Sequence, residues 1–228
     1  MSQRKSKVKG VAGGETQHFL KAILNEDPPP NFPAGKSSKP DITYVPEHVY
    51  GYGGDRNKSC LQFGKDSNEI VFFSAALGIV QDLTTHTQKF FGAHEKVKGQ
   101  PKYEANWGCH QDDITDLSVA HTKERNIVAT GECGAKSTVH IWDTNDLKSI
   151  AQFSLGAQAK GVASLALSPC CRYVACVDQS NDHNMYIFHI NKKKPIVTVS
   201  AGTDAIGDIQ WSRKPNDLRF VAVTSRSL

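Results

Sequence analysis

Four side chains of the kinds that bind zinc are spread along the chain: His94, Cys109, His110 and Cys133. Zinc sites in proteins usually contain two cysteines separated by two residues, because that short turn directs both sulfurs at one ion. The chain has no such pair. We therefore predict no metal and no other cofactor, and we interpret His110 as a structural histidine.

The residue patterns of nucleophilic and phosphoryl-transfer catalysis are absent from the sequence. The glycine-rich segment 51–54 is not followed by the Lys-Ser/Thr pair that begins the helix of a phosphate-binding loop. Asp112, Asp113 and residues 178–182 lie in predicted turns, where carboxylates are common because they accept hydrogen bonds from backbone amides. We predict no catalytic residue and no enzymatic activity.

Positive charge is concentrated near the N-terminus. Residues 1–40 contain seven Lys/Arg and three acidic residues, a net charge of +4 that equals the +4 of the whole chain. Residues 41–228 are therefore neutral overall, which makes nucleic acid an unexpected partner for the folded part. The tail would meet a polyanionic partner first. The alternative is a solvated tail that binds nothing.

The chain has neither the ~20-residue apolar run of a membrane span nor the apolar core of a secretory signal. Its six cysteines show no disulfide-framework spacing. A reduced, cytoplasmic protein without a membrane partner is the expectation.

Short strands separated by tight polar turns would position these residues. The runs 69–74, 78–83 and 88–91 predict a first antiparallel meander. A second unit extends from Gly108-Cys109-His110 to Ile141-Trp142-Asp143, and further units begin at Gly161 and Ala205. Units of ~40–45 residues with Gly-x-His and Trp-Asp are typical of the blades of a WD-repeat propeller.

In the second unit, His110 and Trp142 are predicted to join the strands through buried hydrogen bonds. Thr130 is the candidate hydroxyl of this relay. The Asp that usually occupies the tight turn between the second and third strands is missing, since the turn is lengthened to residues 132–137. The carboxylate of the relay is left open.

Residues 46–94 resemble the hydrophobic motif that opens the first propeller of the echinoderm microtubule-associated protein-like family. The matching residues are Val49-Tyr50-Gly51-Tyr52-Gly53-Gly54, Arg56-Asn57, Leu61 and Asn68-Glu69-Ile70-Val71-Phe72-Phe73. The resemblance continues over residues 46–228 and includes the lengthened turn of the second unit. It implies an all-β WD-repeat propeller of which only the N-terminal part, about three and a half of the usual 4–8 blades, is present.

The expected organisation has four parts. Residues 1–41 form a basic, partly disordered tail with a short helix over residues 15–25 and a Pro-rich linker; 42–94 form the hydrophobic motif and first blade; 95–108 are an inserted loop; and 109–228 are blades of an incomplete propeller. The helix is too short for the trimeric coiled coil that the family often carries. We expect the remaining blades to come from elsewhere, and a self-contained β-sandwich is the alternative.

The resemblance implies a structural protein that binds tubulin and microtubules together with other microtubule-associated proteins. It would lie in the cytoplasm and cytoskeleton, and we also expect a place in a cilium or flagellum axoneme. A general WD-repeat scaffold for another intracellular complex is the alternative. Candidate partner contacts are Arg4, Lys5, Lys7, Lys9, Lys96, Lys98, Lys102, Tyr103, Lys192, Lys193 and Lys194. Structural roles are expected for Tyr50, Gly51, Tyr52, Gly53, Phe72, Phe73, His110, Trp142 and Asp143, because the motif is largely core in the family.

Overall fold

The computed structural model describes residues 46–52, 54, 59–64, 66–92, 110–123, 126–156, 158–214 and 217–224. All of them belong to the compact unit Tyr44–Leu228. They form fourteen strands and no helix, so the predicted all-β class is confirmed. The predicted N-terminal helix, the linker and the inserted loop 95–108 lie outside the described residues. No described helix has the length and apolar character that crossing a bilayer requires.

The strands are arranged as three four-stranded antiparallel sheets and one two-stranded sheet, each in chain order. The first sheet contains β1 (Leu61–Phe63), β2 (Glu69–Ser74), β3 (Leu77–Asp82) and β4 (Gln88–Phe91). The second contains β5 (Ile114–His121), β6 (Asn126–Glu132), β7 (Thr138–Asp143) and β8 (Ser149–Ser154). The third contains β9 (Val162–Leu167), β10 (Tyr173–Asp178), β11 (Asn184–His189) and β12 (Lys194–Ser200). The fourth contains β13 (Ile206–Trp211) and β14 (Phe220–Thr224). The described residues thus form a partial WD-repeat β-propeller of three and a half blades.

Apolar side chains fill the space between successive sheets. Val71, Phe73 and Phe91 of the first sheet pack with Leu117 and Trp142 of the second. A second cluster joins the second and third sheets, and a third cluster joins the third sheet to β13 and β14. The sheets in the middle therefore bury both faces, which explains why every residue of β6 is buried.

The first strand of each sheet has a ladder partner on one side only, so its other backbone edge needs partners from a neighbouring sheet. Gln62 of β1 supplies two of them to β5. Its side-chain Nε2 donates to the carbonyl of Leu117 (3.0 Å), and its Oε1 accepts from the amide of Val119 (2.9 Å). One glutamine side chain thus substitutes for a stretch of backbone ladder between the first two sheets.

Side chains of β5 make the equivalent contacts to β9. Asp116 Oδ2 accepts from the amide of Leu165 (2.7 Å), and Ser118 Oγ accepts from the amide of Leu167 (3.0 Å). Residue numbers rise together on both strands, so β5 and β9 run in the same direction. The turns that follow the first strand of each of these two sheets therefore lie at the same end of the molecule.

Candidate functional site

A buried relay joins the loop before β5 to β6 and β7. His110 Nε2 lies 2.6 Å from Thr130 Oγ1, and the Trp142 indole N–H donates to the same hydroxyl at 3.2 Å. Thr130 and Trp142 are fully buried. The structure thus brings together the histidine, hydroxyl and indole that the sequence predicts.

Glu132 is the carboxylate of this relay. Its Oε2 lies 3.2 Å from His110 Nδ1 and accepts from the amides of Gln111 (2.7 Å) and Asp112 (3.2 Å). Its Oε1 accepts from the Thr138 hydroxyl. Burial alone would raise the pKa of Glu132, but these hydrogen bonds, led by those of His110 and Thr138, outweigh it and lower the pKa to about 2.

The sequence pattern does not identify Glu132, because the usual carboxylate of such a relay is an aspartate in a tight turn. The signal that would have found it is strand parity. Residues two apart in a strand point to the same face, and Glu132 is two residues beyond Thr130 on β6. The lengthened turn moves the carboxylate from the turn onto the end of the strand.

His140 is a second, fully buried histidine beside the relay. Its ring centroid lies 4.4 Å from that of His110 and 5.9 Å from that of Phe91. Neither of its ring nitrogens has a hydrogen-bond partner among the described residues. Burial, together with the nearby His110, lowers the pKa of His140 to about 3, so the ring is neutral at neutral pH.

His110, Glu132 and His140 place potential metal-ligand atoms within 4.8 Å of one another. Both nitrogens of His110 already face polar partners, Thr130 and Glu132, and both oxygens of Glu132 accept hydrogen bonds. A metal ion would have to displace these bonds. The arrangement suits a closed structural network better than a reaction centre, since only His140 has nitrogens to spare.

The aromatic–glycine motif is divided between core and surface. Phe72 and Phe73 are buried on opposite faces of β2, whereas Tyr50 is 91 % exposed and Tyr52 is 54 % exposed. The prediction of a core role is therefore wrong for Tyr50. Tyr52 keeps a partial structural role, because its ring meets that of Phe72 edge-on with centroids 6.4 Å apart. Gly53 lies outside the described residues.

Among the described residues before Tyr52, Val49 is hydrogen-bonded to the first sheet, whereas Tyr50 stays exposed. The amide of Val49 donates to Gln88 Oε1 (2.7 Å), and Gln88 Nε2 donates to the carbonyl of Val49 (3.1 Å). Tyr50 contacts only the exposed His48 ring, at 4.5 Å between centroids, among the aromatic side chains described. Gly51 has a φ of 106°, a left-handed conformation that suits glycine.

The remaining candidate residues fall into two groups. Asp143 is buried, and its Oδ1 closes the turn after β7 by accepting from the amide of Asn145 (2.9 Å). Lys192, Lys193 and Lys194 are exposed at the turn between β11 and β12. The other predicted contacts, Arg4, Lys5, Lys7, Lys9, Lys96, Lys98, Lys102 and Tyr103, lie outside the described residues.

Comparison with known proteins gives a consistent set of relatives, although no family model matches the chain. The chain is 32% identical over 178 residues to the ciliary WD repeat-containing protein ctxp80 of Euplotoides octocarinatus, across 78% of this chain and 24% of that protein. It is 25% identical to mouse echinoderm microtubule-associated protein-like 3, across 84% of this chain and 21% of the relative. It is 28% identical to the 77 kDa echinoderm microtubule-associated protein of Lytechinus variegatus, across 69% of this chain and 22% of the relative.

Over most of its length, the chain is similar to proteins of the echinoderm microtubule-associated protein-like family. This agrees with the resemblance that the residues from Val49 to Phe73 carry. The chain spans about a quarter of the length of the relatives it matches. In this chain, the relay of His110, Thr130, Glu132 and Trp142 holds the second blade together, and exposed charge lies at the turns.

Proposed function

We propose that the protein is a microtubule-associated structural protein that binds the tubulin lattice through its propeller and its basic tail and has no catalytic activity. The observation that carries the proposal is the similarity to proteins whose names describe microtubule association, over more than two thirds of this chain. The ciliary relative supports a place in a cilium or flagellum axoneme, with other microtubule-associated proteins as neighbours.

The described residues support an interaction role in two ways. The buried polar atoms of His110 and Glu132 are engaged in hydrogen bonds within the second blade. The turn between β11 and β12 carries three exposed lysines, Lys192, Lys193 and Lys194, and tubulin offers an acidic surface to such groups. These features favour binding over chemistry.

Co-sedimentation with microtubules tests the proposal on the full 228-residue chain. We expect pelleting at low salt that weakens as the ionic strength rises from about 50 to 200 mM, because screening shortens the reach of charge. Replacing Arg4, Lys5, Lys7 and Lys9 by Gln should reduce pelleting more than replacing Lys89, Lys136, Lys148 and Lys160, although both variants lose four charges. A chain that stays in the supernatant at low salt would contradict the proposal and leave the general scaffold as the better interpretation.

The axonemal part of the proposal needs a separate test. A tagged chain expressed in a ciliated cell should be retained on axonemes after detergent extraction of the membrane. Retention in the cell body alone would limit the protein to cytoplasmic microtubules.

A further inference from the structure

Three turns of the third and fourth sheets open to the same end of the molecule. β10 is antiparallel to β9, and β12 is antiparallel to β11, so the turns 168–172 and 190–193 lie at one end of the third sheet. The indole N–H of Trp211, the last residue of β13, donates to the carbonyl of Ala166 near the end of β9 (2.9 Å). The segment 212–214 after β13 therefore lies at that end as well. We call residues 168–172, 190–194 and 212–214 the basic end.

The charges at the basic end are of one sign. Its exposed cations are Arg172, Lys192, Lys193, Lys194, Arg213 and Lys214. The acidic group nearest in sequence is Asp217, which is already paired with Arg219 at 3.0 Å. Among the described residues, none of the three lysines of the turn and neither Arg213 nor Lys214 has a carboxylate partner. The opposite end of these sheets is different, since its turns carry Asp182 and Asp204 together with Lys160.

Hydrogen bonds and ring contacts hold the basic end in one arrangement. The amide of Ile190 donates to the carbonyl of Arg172 (2.9 Å), which ties the two turns of the third sheet together. The Tyr173 ring lies 5.1 Å from His189 and 6.5 Å from Trp211 between centroids, and the Arg172 guanidinium lies 5.9 Å from the Tyr173 centroid. The rings of Tyr173 and Trp211 thus connect the third and fourth sheets at this end, and Arg172 lies against the first of these rings.

We infer that the basic end is a docking surface for an extended, carboxylate-rich polypeptide segment. The inference rests on the proposed function and deepens it, because it names the part of the propeller that would meet an acidic tubulin surface. A polypeptide fits better than nucleic acid, since Trp211 is 9 % exposed and Tyr173 is partly covered, which leaves few open rings for base stacking. The turns at this end carry six exposed cations, whereas the turns at the opposite end of the third and fourth sheets mix Asp182 and Asp204 with Lys160.

A direct binding measurement tests the surface independently of microtubules. The probe is a fluorescent ten-residue glutamate peptide, titrated with the full chain at low salt and followed by anisotropy. Replacing Lys192, Lys193 and Lys194 by Gln should weaken binding about tenfold, as the loss of three exposed ion pairs predicts. The matched control replaces Lys89, Lys136 and Lys160 by Gln and should stay within about twofold of the parent.

Several outcomes would overturn the inference. One is an equal weakening of peptide binding in both three-lysine variants. Another is peptide binding that weakens only when Arg4, Lys5, Lys7 and Lys9 are replaced. A third is a single-stranded oligonucleotide of equal charge that binds more tightly than the peptide. Microtubule pelleting separates this inference from the proposed function. If the variant at residues 192–194 pellets like the parent, the docking surface is wrong and microtubule association stands. If the peptide binds as expected but nothing pellets, the surface stands and microtubule association fails.

Discussion

At the scale of single residues, Glu132 is the group on which most hydrogen bonds of the relay converge. Replacing it by Gln removes the charge. It also places an amide N–H₂ group, which can only donate, opposite other N–H donors. We expect the free energy of unfolding at pH 7 to fall by about 2–3 kcal/mol, because hydrogen bonds to a buried charged acceptor are lost. Urea denaturation of the full chain measures this.

The pH dependence gives the control for Glu132. Its pKa of about 2 lies below the ordinary value of 4.5, so its stabilisation is complete above pH 4.5 and is lost as the pH falls toward 2. The parent should show this loss and the Gln variant should not. The exposed Glu47→Gln should behave like the parent, and an equal effect of both substitutions would contradict the role of Glu132.

His140 leads to a prediction of the opposite sign. Two buried ring nitrogens without partners are costly, so His140→Leu should raise the free energy of unfolding by about 1 kcal/mol at pH 7. Because the folded pKa is about 3 against an ordinary 6.5, the parent loses stability as the pH falls from 6.5 toward 3, and the gain should be larger at pH 5. Chemical denaturation at both values measures it.

The exposed His48→Leu is the control for His140, and we expect it to change stability by less than about 0.5 kcal/mol. A destabilised His140→Leu variant would show that the ring has a partner. A parent melting temperature that rises with added Zn²⁺, and does so only with His140 present, would identify that partner as a metal ion.

Residue identities could be predicted where the repeat pattern requires a side chain of one kind. Thr130 could be predicted because the relay of His110 and Trp142 requires a hydroxyl, and the structure places it within hydrogen-bond distance of both. Tyr50 was misplaced because burial depends on what covers a residue, and the residues around it provide only a short attachment at Val49. Sequence spacing carries no information about that cover.

At the scale of elements, β5 and β9 are joined by the buried carboxylate of Asp116. It accepts from the amides of Leu165 (2.7 Å) and Leu117 (2.9 Å). Burial raises its pKa to about 7, although the two amides act in the other direction. The stabilisation from neutral Asp116 is complete below pH 3.8 and is lost as the pH rises through about 7.

Asp116→Asn tests this joint. The variant should be about 1–2 kcal/mol less stable than the parent at pH 4, since its single acceptor oxygen cannot serve both amides. The difference should narrow by pH 8, because only the parent has to ionise a buried group. Urea denaturation from pH 4 to 8 measures both curves, with the exposed Asp182→Asn as the control. A difference that widens with pH would show that the ionised form is the stabilising one.

Strands with a clear apolar run were predictable, whereas two other strands at sheet edges were not. β2, β3 and β4 lie within a residue of their predicted limits. β1 has only three residues, and β8 has polar residues at three of its six positions. An edge strand is stabilised by the neighbour it pairs with, and a short segment by itself shows little of that pairing.

At the scale of the whole molecule, the order of the sheets and the all-β class follow from the spacing of the repeats, whereas the distribution of charge does not. Lys192 and Arg213 are far apart in the chain, and only the parallel alignment of the first strands brings their turns to one end. Function at this scale depends on topology more than on any local motif.

The first and last sheets each present an apolar face that the described residues leave uncovered. Phe63 is 61 % exposed on β1, and Val221 is 54 % exposed on β14. Apolar faces at open strand edges promote association between copies. We therefore expect the 228-residue chain to form concentration-dependent oligomers in sedimentation velocity, and Phe63→Thr with Val221→Thr to shift it toward monomer. Both sites are exposed, so the melting temperature should change by less than a few degrees.

Thr198→Ser, at an exposed site on β12, is the control and should associate like the parent. If the double variant associates as strongly as the parent, these two faces are not where copies meet, and the outer edge of β12, with Ile196 and Val199 exposed, becomes the surface to change next.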